Sequence, residues 1–143
     1  MQMQWNLGHD EAQAAIDAIR AELARRNQVA VIAVADADGE LVALLRMDTA
    51  PASSVAVACN KARTAARLRR PSRVLGESLR ARDADIAWYG DPGLTGWSGG
   101  MPVIVNGNVV GAVAVSGLTE DEDVELASLG VAAVGGTVSG AAL

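Results

Sequence analysis

A chain of 143 residues that is 50% hydrophobic and 20% charged has the size of one domain with a buried core, which excludes a disordered polar polypeptide. With no phenylalanine at all, that core must be built from Ala, Val and Leu. A net charge of -5 excludes a general nucleic-acid binder, since neutralising phosphates takes a basic face.

In chain order, the spacing of Ala12, Ile16, Ile19 and Leu23 predicts an amphipathic helix from His9 to Asn27, with acids early and Arg25 and Arg26 late, as the helix dipole favours. The run Val29 to Ala35, the turn Asp36-Ala37-Asp38-Gly39 and the run Leu41 to Met47 read as an antiparallel hairpin. After Pro51, Ser53 or Ser54 is expected to cap a helix reaching Leu68, whose many alanines permit close approach by another element. Ser72 to Asp85 reads as a further helix, weakened by Gly76, and Trp88 to Gly100 as a glycine-rich loop. Val103-Ile104-Val105 and Asn108 to Val115 flank Asn106-Gly107, which supplies the positive φ angles of a two-residue hairpin turn. Thr119 with Glu122 forms a capping box before a last helix that Gly135-Gly136 should end, and residues 137 to 143 are expected as a loose tail.

Two hairpins interspersed with helices predict an α+β fold, an antiparallel sheet flanked by helices, in a single domain from 1 to 143. No uncharged stretch carries the roughly 20 apolar residues of a spanning helix, and the N-terminus lacks the basic start and apolar stretch of a secretory signal. A lone cysteine, Cys59, fits a reducing compartment, so a cytoplasmic location is expected. Nine of the twelve basic residues fall between Arg46 and Arg82, whereas the segment after Leu118 holds five acids and no base. Complementary patches of a homo-oligomer, or simply solvated helix faces, account for that asymmetry.

Several chemistries drop out. Gly96-Trp97-Ser98-Gly99-Gly100 lacks the leading strand, following helix and lysine of a phosphate loop. The Ser116-Gly117-Leu118-Thr119 junction joins a strand to a helix, but Glu120 to Asp123 already occupy the positive helix end, which suits a cationic partner better than a phosphate. One histidine and one cysteine cannot build a zinc site of the usual nitrogen and sulfur ligands. His9 is either an exposed helix-start residue or a haem-iron ligand. Lys61 is the sole lysine beside eleven arginines; its compact ammonium can lose its proton when buried, act in Schiff-base or proton-transfer chemistry, or contact a carboxylate. Arg46, at the end of the second strand, is its expected neighbour if the helix packs on the hairpin, and two such cations would form an anion pocket.

The segments Asp36-Ala37-Asp38-Gly39, Arg46-Met47-Asp48 with Ala50, Lys61-Ala62-Arg63-Thr64-Ala65, Gly99-Gly100-Met101-Pro102, Asn106-Gly107 with Val110-Gly111-Ala112, Ser116-Gly117 and Asp123 together resemble the GlcG/HbpS family, the haem-degrading domain also found at the C-terminus of PduO-type proteins. The resemblance runs from about residue 9 to 134. It implies a compact domain with a five-stranded antiparallel sheet, assembly into dimers or larger homo-oligomers, and haem or another tetrapyrrole as a ligand. It carries Lys61, the Gly99-Gly100 pair and Asp123 over as pattern residues. Trp97-Ser98 departs from the family form, where Leu-Pro or similar precedes the glycine pair. Three readings follow. One is a haem-binding accessory protein, with the macrocycle near Gly99-Gly100, an axial ligand from His9, Met47 or Tyr89, and Arg46 and Arg63 on the propionates. Another is a small-molecule enzyme or binding module in which Lys61, with Arg46 nearby, holds a carboxylate or acts in proton transfer and Asp123 helps from the helix start, in a pocket between helix and sheet; Ser116 is a further ligand-binding candidate. The last is a structural homo-oligomer subunit without its own ligand.

Overall fold

The computed structural model describes residues 1 to 137. Helix α1 spans His9–Arg25, followed by strands β1 Val31–Asp36 and β2 Leu41–Arg46, helices α2 Ser53–Leu68 and α3 Ser72–Arg82, a 3-10 turn Ile86–Tyr89, strands β3 Gly100–Val105 and β4 Asn108–Ser116, and helix α4 Glu120–Ala133. The strands form one antiparallel sheet in the order β2-β1-β4-β3. Helices α1 and α4 pack on one face and α2 on the other, so the α+β architecture is as expected.

Both faces of β1 are buried, and the two faces differ in kind. Ile32 and Val34 join Ile16, Ile19 and Leu23 of α1 and Leu126 and Val131 of α4 in the main apolar core. Val31, Ala33 and Ala35 face the other way, against Ala58 and Ala62 of α2, with Ala114 of β4 beside them. Alanines on both sides of that second interface let the α2 backbone come close to the sheet.

Among the described residues the sheet has four strands, not the five that the resemblance implies. Beyond β3 these residues add an isolated bridge, with the Ile104 N–H donating to the Thr137 carbonyl at 3.3 Å and the Thr137 N–H returning to Ile104 at 3.0 Å. One rung is too short to be a strand. Thr137, the first residue of the expected loose tail, is thus paired, and the rest of that tail lies outside the described residues.

Local signals explain most boundaries. Asn106 and Gly107 both take positive φ, 50° and 78°, and turn β3 into β4. The Thr119 hydroxyl accepts from the Glu122 amide at 3.2 Å, as the capping box requires. The expected serine cap of α2 is not formed. The chain already winds at Ala52, which occupies the N-cap with φ -60° and ψ -34°, so Ser53 lies within the helix and makes no side-chain cap. Helix α3 stops at Arg82 rather than Asp85 because Asp83 adopts a left-handed conformation with φ 48°. Asp85 instead caps the 3-10 turn, its carboxylate accepting from the Ala87 amide at 2.9 Å. Strand β3 starts at Gly100, three residues before the expected Val103, since Gly100, Met101 and Pro102 pair with Ala114, Val113 and Ala112. No helix among the described residues is long and apolar enough to cross a membrane.

Candidate functional site

The segment from Leu94 to Gly100 runs from the 3-10 turn back into the sheet and is held by side chains of α2 and α3. Thr64 and Lys61 sit three residues apart on α2, on one helix face. The Thr64 hydroxyl accepts from the Thr95 amide at 2.9 Å. Ser72, wholly buried at the start of α3, donates its hydroxyl to the Trp97 carbonyl at 2.7 Å and accepts from the Gly100 amide at 3.0 Å. Gly76 of α3 lies directly against Gly96, and a methyl group at either glycine would strike the backbone of the other.

Lys61 ends under the same segment. Its ammonium donates to the Asp123 carboxylate at 2.9 Å and to the Val115 carbonyl at 3.0 Å, and the two side chains are 4% and 2% exposed. A Cβ at Gly99 would stand 2.9 Å from both Lys61 Nζ and Asp123 Cβ, and one at Gly100 would run into the Lys61 carbonyl. Gly99 also takes φ 124°, a conformation that side chains disfavour. The glycine pair is therefore needed for the close crossing of β3 over α2. The other Asp123 oxygen accepts from the Leu118 amide at 3.3 Å. Burial pushes the Asp123 carboxyl above its ordinary range, against the hydrogen bond and charge of Lys61. Lys61, Asp123, Gly99 and Gly100 do converge, but on a packed contact: the ammonium is neutralised by its carboxylate and lines none of the hollows described below.

The remaining candidates lie elsewhere. Arg46 donates through Nε to the Ala50 carbonyl at 2.9 Å and, with Arg20 and Met47, borders a hollow of about 270 Å³. Arg63 donates to both Asp91 carboxylate oxygens at 3.1–3.2 Å and to Glu40 at 3.1 Å. Arg67 contacts the same two acids, closing a ring of four charges beside a hollow of about 380 Å³ that Cys59 and Asn60 also line. Burial pushes the Cys59 thiol up, so it is held as a thiol rather than a thiolate. Ser116 is buried at the end of β4, opposite Val31 in register. His9 stands in the first turn of α1 with its ring 89% exposed, 3.2 Å from Asp10. Tyr89 borders a hollow of about 200 Å³ with Leu68 and Pro71.

A groove of about 750 Å³ opens between α3, the 3-10 turn and the clipped segment. Its walls are Leu79, Ile86, Leu94 and Trp97; its charged groups are Arg80, Asp83 and Asp85. The volume falls in the range of small-molecule sites, roughly 300–1,000 Å³. Trp97 is 60% exposed on its rim. Ser72 and Thr64, which hold this wall, are not read from the sequence as site residues; Thr64 is visible there only as part of the Lys61-Ala62-Arg63-Thr64-Ala65 pattern, and Ser72 only as the start of the helix expected from Ser72 to Asp85.

Residues 7–132 match the family described as haem degrading protein HbpS-like. Protein GlcG of Escherichia coli strain K12 is 39% identical over 110 residues, which cover 77% of this chain and 81% of GlcG. Among solved structures, the Klebsiella pneumoniae protein ORFY superposes with a TM-score of 0.86 at 28% identity, covering 94% of each chain. The PduOC:Heme complex superposes with a TM-score of 0.81 at 23% identity, covering 93% of this chain and 98% of the other, a likeness of fold. The sequence match over most of the chain, the GlcG identity and the shared antiparallel fold agree, and the chain belongs to the HbpS-like family.

Proposed function

We propose that this protein binds a tetrapyrrole, haem among them, in the groove between α3, the 3-10 turn and the Leu94–Trp97 wall. The observation that carries the reading is the groove's make-up: four apolar side chains, Leu79, Ile86, Leu94 and Trp97, facing one space with the Arg80 guanidinium at its margin. A macrocycle presents a flat apolar face and a charged carboxylate edge. Trp97 offers a ring to stack on that face, and Arg80 a cation for a propionate. Asp83 and Asp85 repel carboxylates and so direct the propionate edge toward Arg80. The family's haem-related description and the haem held by the PduOC domain support the same ligand class. Bound haem would supply a redox-active iron. The residues lining this groove include no histidine, cysteine, methionine or tyrosine, so they hold the ring by its faces and edge rather than by its metal.

The alternative use of Lys61 as a reactive amine gains no support from its surroundings, since its charge is satisfied by Asp123 within packed protein. The proposal also takes the chain as a homo-oligomer subunit, supported by the large exposed side chains Trp5 and Trp88.

Titration of the purified protein with hemin, followed in the visible spectrum, is expected to give a sharpened Soret band that saturates. Trp97→Ala and Arg80→Ala are each expected to weaken binding about tenfold, the loss of a stacking or charge-assisted contact. His9→Ala should leave the titration unchanged. Broad absorption that grows without limit, in wild type as in the variants, would remove the reading.

A further inference from the structure

We infer that Ser72 is a positioning residue for this groove: its hydroxyl fixes the rim on which Trp97 stands and thereby sets how well the groove holds its ligand. The inference rests on the tetrapyrrole reading for its second half only. Ser72 touches none of the groove's interior and does not line it. It acts through the backbone, bridging the Trp97 carbonyl and the Gly100 amide with one buried hydroxyl, at 2.7 and 3.0 Å. A hydroxyl that donates and accepts at once spans the turn from the groove wall to the first residue of β3. Thr64 holds the same segment two residues earlier through the Thr95 amide, and the Gly76–Gly96 contact seats it against α3. Between Thr95 and Gly100, the wall is therefore tied at both ends to helices while Trp97 projects from the middle into solvent. Such ties remove conformational freedom from the wall before the ligand arrives, and a ligand meeting a preset wall loses less free energy in ordering it.

Removing the Ser72 hydroxyl leaves the buried Gly100 amide without its acceptor and frees the Trp97 carbonyl. Two measurements on the intact chain test the consequence, with Trp5→Phe and Trp88→Phe as a background in which Trp97 is the single tryptophan. Without ligand, Ser72→Ala is expected to change iodide quenching and emission anisotropy of Trp97, reporting a looser rim. With hemin, the same variant is expected to bind about tenfold more weakly, while far-UV circular dichroism stays that of the parent. Thr64→Val, which keeps the side-chain shape and loses only the hydroxyl, is expected to move both readouts in the same direction and carries the test if Ser72→Ala does not fold. Unchanged Trp97 quenching and anisotropy would overturn the inference whatever hemin does. Altered quenching with unchanged hemin affinity would overturn the role in binding while leaving the tetrapyrrole reading intact. If the parent takes up no hemin, the tetrapyrrole reading fails and the quenching data alone decide whether Ser72 sets the rim.

Discussion

A carboxylate and an ammonium taken out of water together depend on one another, because removing one leaves the other buried and uncompensated. At Lys61 and Asp123 the removal of either leaves a charge stranded between α2, α4 and β4. Lys61→Met is expected to cost about 3–5 kcal/mol, and the double variant Lys61→Met/Asp123→Leu to recover most of it, measured by urea denaturation. The pH dependence has a definite sign. Because burial raises the folded-state pKa of Asp123 above its unfolded value, its contribution is greatest below the unfolded pKa of about 3.9 and declines as pH rises through the folded value. Without Lys61 to oppose that shift, the single variant should lose more stability between pH 4 and pH 7 than the wild type does. Lys61 stood out in the sequence as the only lysine, and Asp123 through the family pattern. Their pairing was not legible, because 62 residues separate them in sequence and they belong to helices on opposite faces of the sheet, whose side chains meet beside the end of β4 at the Val115 carbonyl. Arg46, the expected companion of Lys61, has its Nε drawn to the Ala50 carbonyl by the turn that follows β2, a local bond that strand periodicity does not reveal.

At the scale of the element, α3 shows how a propensity argument can carry the wrong sign. Glycine inside an exposed helix is worse than alanine by about 1 kcal/mol, and Gly76 read from sequence as a weakness. In the fold it is the point where α3 meets the Leu94–Gly100 segment, and the Gly96 carbonyl occupies the space a side chain would need. Gly76→Ala is therefore expected to destabilise by about 1–3 kcal/mol rather than stabilise, and chemical denaturation reads the sign directly. The elements whose signals were local were legible: α1 from its apolar spacing, the β3–β4 hairpin from Asn106-Gly107, and α4 from Thr119 and Glu122. What escaped the sequence depends on tertiary company, including the start of β3 at Gly100, set by pairing with β4, and the single rung at Thr137, where a loose tail was expected. The groove escaped for the same reason, since its walls come from α3, the 3-10 turn and a loop that no sequence period joins.

Across the whole molecule, every aromatic side chain is on the surface: Trp5, Trp88, Trp97 and Tyr89 are all exposed, and the chain has no phenylalanine. The interior holds no aromatic ring, with mainly alanine on the α2 side and branched residues on the side of α1 and α4. Native tryptophan emission should accordingly lie close to that of the unfolded chain and shift little across a denaturant titration that circular dichroism follows as a full transition. A marked blue shift in the native state would contradict the placement of all three tryptophans. The small-residue core was visible in the composition. The outward placement of the aromatics was not, because hydrophobic content does not say which residues the helices cover.

The outer flank of β3 has a further consequence. The Gly100 amide hydrogen is taken by Ser72, Pro102 has none to give, and that of Ile104 goes to Thr137. A foreign strand drawing alongside finds no donor free at these three positions, so accretion of copies into an extended ribbon is disfavoured on that flank. A second molecule approaching there would have to bond to the carbonyls of β3 alone, without the reciprocal amides that hold a ladder together.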